Sequence, residues 1–201
     1  GGSVGVVKNL ALSCNITTYS DIKILTNILE IFNIENIVDK NPADIINYTK
    51  IFINGRWDYV TKEPYNLVTK LKHFRRTGII HIHTSIVWKI NNSIIELYTD
   101  AGRCTRPLYI IDENKKFKAT NKYIEDIDNN NLKWNNLLIG SLNHKNTVKH
   151  TQINEGIIEY IDVQEENNCM IGMDINMLKN EKYNYTKFTH CEIHPSFLQG
   201  V

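Results

Sequence analysis

The chain has no Cys-x-x-Cys pair: its four cysteines, Cys14, Cys104, Cys169 and Cys191, are scattered. That argues against a zinc ribbon and against a dense disulfide framework, and it points to a reducing compartment. No apolar run reaches the ~20 residues of a membrane-spanning helix, and the first residues lack the basic start and apolar core of a signal peptide. Asn15, Asn47 and Asn184 sit in glycosylation-like triplets that carry no meaning without secretion. Charge of one sign is also missing. A net charge of +1 over 201 residues creates no global field for DNA or an anionic membrane, so any nucleic-acid contact has to come from a local cluster. No GxSxG, Walker loop, GxGxxG or Cys-His nucleophile context occurs, so no motif marks an autonomous active site. Alanine is scarce beside frequent Ile and Asn, a bias of AT-rich genomes. The chain opens on GGSVGVVKNL without a methionine and closes on PSFLQGV, and it is expected to be an internal fragment.

What is present is ordinary globular material, 42% hydrophobic and 22% charged, enough for one large core or two small ones. After an extended apolar start over 4–12, Ser20 reads as the N-cap of a helix through Phe32, with Ile22, Leu25, Ile28, Leu29 and Phe32 on one face. The segment 51–60 alternates around Asn54-Gly55 and predicts a hairpin. Glu63 and Pro64 open a second helix that Gly78 ends, with Leu67, Leu71 and Phe74 inward. Its Lys62, Lys70, Lys72, Arg75 and Arg76 form the strongest basic cluster in the chain, read first as a solvated helix face. Strands are expected over 79–90 and 93–99, with a third over 108–111. The polar stretch 112–131 reads as a surface loop between modules, followed by a short helix over 132–142 and strands over 157–163, 169–173 and 187–193. The whole predicts an α+β protein: a mixed-sheet module with two helices, then a smaller β-rich module.

Candidate chemistry is sparse. His190, Cys191, Glu192 and His194 are all metal-ligand types, but neither HExxH nor a downstream PCxxC accompanies them, so a structural or interface role is the favoured reading. His81 and His83 alternate on an expected strand without a third ligand. Glu165-Glu166, and Asp126 with Asp128, are read as solvated turn charges because nothing converges on them. TDAGRCTRPL (99–108) is the most specific stretch: Thr99 closes a strand, Gly102 supplies an unusual backbone position, and Pro107 fixes φ where the chain re-enters extended structure. Arg103 and Arg106 flank that corner, and a structural bond to a carbonyl or carboxylate is favoured over a phosphate contact.

Taken in order, GVVKNLAL (5–12), NGRW (54–57), TDAGRCTRPL (99–108), EGIIEYID (155–162) and THCEIHPS (189–196) closely resemble the second-largest, beta-like subunit of multisubunit DNA-directed RNA polymerases. The resemblance runs end to end and is nearest to the eukaryotic, archaeal and large-DNA-virus versions. It implies a stretch from the end of the fork region (1–17) through an external 1 domain (18–118) and an external 2 domain (119–186) to the start of the hybrid-binding domain (187–201). By the same resemblance Val7, Lys8 and Asn9 lie near the RNA path. Val7 takes the place of an apolar residue of the bacterial rifampicin pocket, whereas Lys8 departs from the bacterial pattern, so rifampicin sensitivity is not implied. Asp100, Gly102, Arg103 and Arg106 are expected to form a structural corner, and His190, Glu192 and His194 a domain junction.

The resemblance also implies what lies elsewhere. The magnesium-holding aspartates of the complete nucleotidyltransferase belong to the largest subunit, and this subunit's active-site acids, hybrid-binding lysines and zinc ribbon lie past Val201. The expectation is therefore a scaffold with no catalytic residue, metal ligand or cofactor of its own, with Mg2+ and zinc in the complete enzyme. Its implied partners are the largest subunit, other polymerase subunits, template DNA and RNA, and no membrane. The implied location is the nucleus or, for a virus-encoded chain, a cytoplasmic viral factory or the virion. Polymerase type and cellular or viral origin stay open. The competing reading is a stand-alone module that binds nucleic acid through the basic helix 62–76.

Overall fold

A computed structural model of the chain describes residues 5, 7–32, 34–112, 121–129, 132–140 and 155–200. The described part of the expected extended start, residues 5 and 7–12, holds no helix or strand, and Val4 and Val6 lie outside the described residues. A two-residue strand β1 (Asn15–Ile16) precedes helix α1 (Ile22–Ile31). The N-cap of α1 is Asp21, whose carboxylate accepts from Lys23 N–H at 2.9 Å. Ser20 was expected in that place, but its N–H is drawn to Thr99 O at 3.0 Å, so the helix starts one residue later.

Strands β2 (Glu35–Asn36), β3 (Thr49–Ile53) and β4 (Arg56–Thr61) lead to helix α2 (Pro64–Arg76), which is followed by β5 (Ser85–Lys89) and β6 (Ile94–Tyr98). They form a mixed sheet in the order β2-β4-β3-β6-β5, with β3 and β6 parallel. Asn54 and Gly55, at φ +49° and +83°, make the hairpin turn that the sequence predicts. The alternating apolar side chains Ile51, Ile53, Ile86, Ile95 and Leu97 meet Leu25, Ile28 and Leu29 of α1 and Leu67, Val68 and Leu71 of α2 in one core. Residues 79–84 were expected to begin the next strand and instead form turns. The amides of Ile79 and Ile80 both return to Phe74 O, closing the end of α2, and the strand begins only at Ser85.

Strand β7 (Cys104–Ile110) belongs to a second sheet. The sequence pattern grouped it with the strands before it, but Gly102, at φ +88°, turns the chain away from the first sheet. β7 is the centre of that second sheet: β1 and β10 (His190–Glu192) lie along one side of it, and β8 (Ile158–Asp162) pairs with the other. β9 (Ile171–Gly172) runs parallel to β10. Short helices complete the molecule: α3 (Asn121–Asp128), α4 (Trp134–Ile139), α5 (Val163–Glu166), α6 (Ile175–Lys179) and α7 (Pro195–Gly200). Residues 121–128 thus correct the expected loop, and Asp126 sits on a helix; 113–120, 130, 131 and Leu142 lie outside the described residues.

A second core gathers Leu132, Leu137, Leu138, Ile157, Ile158 and Ile193. Gly156 admits the close crossing of α4 there, since a Cβ would fall 2.0 Å from Leu138 O. Its N–H donates to Arg76 O at 2.7 Å, so the end of α2 is already hydrogen-bonded to the second module.

Candidate functional site

The strand β8 carries a glutamate in an apolar run, and a buried carboxylate requires a partner. Glu159 is 4% exposed and receives bonds from two consecutive arginines of α2. Arg75 Nη2 donates to its Oε2 at 2.8 Å, and Arg76 Nη2 donates to its Oε1 at 2.7 Å. His190 Nε2, from β10, lies 2.7 Å from the same Oε1. Arg75 is 2% exposed and also binds Glu165 in a two-pronged pair, Nη1 to Oε2 at 2.7 Å and Nη2 to Oε1 at 2.8 Å. Its Nη1 further donates to Thr84 O at 2.8 Å, and Glu165 Oε2 accepts from Ile86 N–H at 3.3 Å. One helix terminus of the first module is therefore fastened to β8, β10 and α5 of the second.

Burial alone disfavours the Arg75 cation, but the Glu165 and Glu159 charges more than offset it and its pKa is raised. Burial equally favours neutral Glu159, and Arg76, Arg75 and His190 reverse that, holding its carboxyl well below the usual carboxylate range. These assignments correct the reading of Arg75 and Arg76 as a solvated face and of Glu165-Glu166 as solvated turn charges. The rest of the basic stripe is dispersed: Lys62 lies over the Tyr48 ring at 5.0 Å, Lys70 over Phe32 at 4.6 Å, and Lys72 stands 4.0 Å from Glu165.

The corner residues extend the same pattern. Arg103 Nη1 donates to Asp162 Oδ2 at 2.5 Å, its Nε to Asp100 Oδ1 at 2.9 Å, and its Nη2 to His83 O at 2.7 Å and Tyr98 O at 3.2 Å. Asp162 in turn caps α5, accepting from Glu165 N–H at 2.8 Å. Arg106 pairs with Glu166 at 2.6 Å and with Glu192. The segment 159–166 thus presents Glu159, Asp162, Glu165 and Glu166 to Arg75, Arg76, Arg103 and Arg106 from two other parts of the chain.

His190, Glu192 and His194 do not meet one another: His190 turns to Glu159, Glu192 to Arg106, and His194 Nδ1 to Ser196 Oγ at 2.5 Å. Among the described residues no group of three or more His, Cys, Asp or Glu side chains is placed to hold a metal ion. His81 and His83 lie in the turn before β5 with ring centroids 5.2 Å apart. His83 Nδ1 accepts from Thr18 N–H at 3.1 Å, and burial, then His81 and Arg103, lower its pKa. Val7, Lys8 and Asn9 are exposed. Sequence reasoning missed the joint between these segments. The signal for it was Glu159 itself, a carboxylate inside a strand otherwise read as buried.

The inner acids and arginines are matched between segments of the two sheets, so this cluster joins them. Residues 51–112 match the family model for RNA polymerase Rpb2, domain 4, and residues 150–195 match that for domain 5. The whole chain is 35% identical over 210 residues to DNA-directed RNA polymerase II subunit 2 of Arabidopsis thaliana. It is 33% identical over 205 residues to the RPB2 subunit of Encephalitozoon cuniculi polymerase II and 30% identical over 203 residues to the RPC2 subunit of Drosophila melanogaster polymerase III, in each case over 100% of this chain. The chain spans only 16% or 17% of the length of these relatives. It belongs to the Rpb2-like family of second-largest RNA polymerase subunits, as a segment containing domains 4 and 5.

Proposed function

We propose that this chain is the external scaffold of a DNA-directed RNA polymerase, the nucleotidyltransferase that copies DNA into RNA, and that it has no reaction centre of its own. One observation carries the reading. Glu159, Asp162, Glu165 and Glu166, the acids brought together in the fold, are each already paired with an arginine, whereas two-metal phosphoryl transfer needs converging carboxylates free to take ions. The Mg2+ and the zinc ribbon of the complete enzyme then belong to other parts of it.

In this reading the division at 17, 118 and 186 follows the order of fork, external 1, external 2 and hybrid-binding regions. The exposed Val7, Lys8 and Asn9 face the RNA path, the Asp100–Arg106 corner together with His190 and Glu192 holds domains together, and the largest subunit is the principal partner. Template DNA and RNA are reached through the flanking regions, and the site of action is the nucleus. The stand-alone nucleic-acid reading is weaker, because Arg75 and Arg76 are bound inward.

The test is Glu165→Gln in the full-length subunit assembled into polymerase. The expected result is lower thermal stability of the assembled enzyme with an unchanged nucleotide KM and unchanged elongation rate per intact complex. A collapse of the elongation rate in complexes of normal stability would show that Glu165 takes part in the chemistry.

A further inference from the structure

Cys14 and Cys104 take no part in the ionic joint, yet the fold sets them on neighbouring strand positions. In the antiparallel pairing of β1 with β7, Asn15 lies opposite Thr105 and Ile16 opposite Cys104. Continuing that ladder by one residue puts Cys14 diagonal to Cys104 on the same face, where cross-strand side chains meet. Both thiols line one cleft of about 270 Å³, with Leu10, Ala11, Ile161 and Val163 as apolar walls and Arg106 and Glu166 also lining it. Cys104 is exposed and Cys14 half-buried, and both are free. Burial raises the pKa of Cys14, and the neighbouring Cys104 thiol raises it further.

We propose that Cys14 and Cys104 form a dithiol modification site that a hydroperoxide converts to an intramolecular disulfide. The exposed Cys104, as thiolate, attacks the peroxide oxygen; the O–O bond breaks, the alkoxide or hydroxide leaves, and Cys104 becomes a sulfenic acid. Cys14 then loses its proton and attacks the sulfenic sulfur. The S–S bond forms, the S–O bond breaks, and the departing hydroxide takes up that proton as water. Two thiols are oxidised by two electrons and one peroxide is reduced to water and an alcohol, or to two waters. The product locks β1 and the apolar segment before it onto β7, closing the loop between residues 14 and 104.

The test is hydrogen peroxide treatment of the native full-length protein that contains this chain, followed by alkylation and peptide mapping. A Cys14–Cys104 cross-linked peptide is expected, reversible by dithiothreitol, while Cys169 and Cys191, whose thiols burial pushes up to about 11, stay reduced. In the Cys14→Ser variant a sulfenic acid at Cys104 should be trapped by dimedone, and in Cys104→Ser both products should vanish. Oxidation of Cys104 to sulfinic acid or to a mixed disulfide while Cys14 remains free would overturn the proposal. So would preferential oxidation of Cys169 or Cys191.

Discussion

His83 and Glu159 show how single residues set the pH response of this molecule. His83 is buried and has a lowered pKa in the folded chain, with burial the main cause. Its contribution is therefore fully present above the unfolded value of about 6.5 and is lost as pH falls through the lower folded value, because the unfolded chain binds the proton more readily. Glu159 has the same sign at lower pH. Its folded pKa lies well below the ordinary carboxylate range because of Arg76, Arg75 and His190, which overcome the effect of burial. The stability it supplies is present above the unfolded value of ~4.3 and disappears as pH falls through the folded one. Denaturant titrations between pH 8 and 3 should show loss beginning below about 6.5. His83→Gln should shrink the upper phase, leaving the share of His81, whose pKa burial also lowers, and should leave the lower phase; an unchanged upper phase in that variant would show that His83 does not contribute to it.

At the scale of elements, α1 offers a sharp comparison between neighbouring residues. Asp21 caps it through Lys23 N–H, so Asp21→Ala should cost ~1 kcal/mol of stability in urea unfolding. Ser20→Ala should be close to neutral, because Ser20 contributes its main-chain N–H to Thr99 O. The sequence made the apolar spacing of α1, α2 and the Asn54-Gly55 hairpin legible, since each depends on local periodicity or on backbone positions only certain residues tolerate. The place of β7 was not legible from pattern alone. Its alternation is the same whichever sheet it joins, and only the backbone turn at Gly102 and the pairing with β8 and β10 decide it. The ionic joint was hidden for a related reason: Arg75 and Glu165 are 90 residues apart, and each alone looks like a surface charge. The resemblance to RNA polymerase subunits was legible because it rests on short, specific motifs spread across the chain.

For the whole molecule, the central claim is that Arg75 and its partners make the two sheets one unit. A buried ion network adds little over well-packed apolar residues, but removing one partner leaves charges buried without compensation and costs about 3–5 kcal/mol. Arg75→Met would leave Glu165 and one bond of Glu159 in that condition. Native-state hydrogen exchange reads this directly at the amides of Ile95, on the inner strand β6 of the first sheet, and Leu108, on the central strand β7 of the second. In the full-length protein carrying Arg75→Met, the account predicts that protection falls at both amides together, by about 10²-fold or more for 3–5 kcal/mol of lost stability. Loss confined to Leu108, with Ile95 protected as in the wild type, would contradict it, because the two sheets would then be held by something other than this joint.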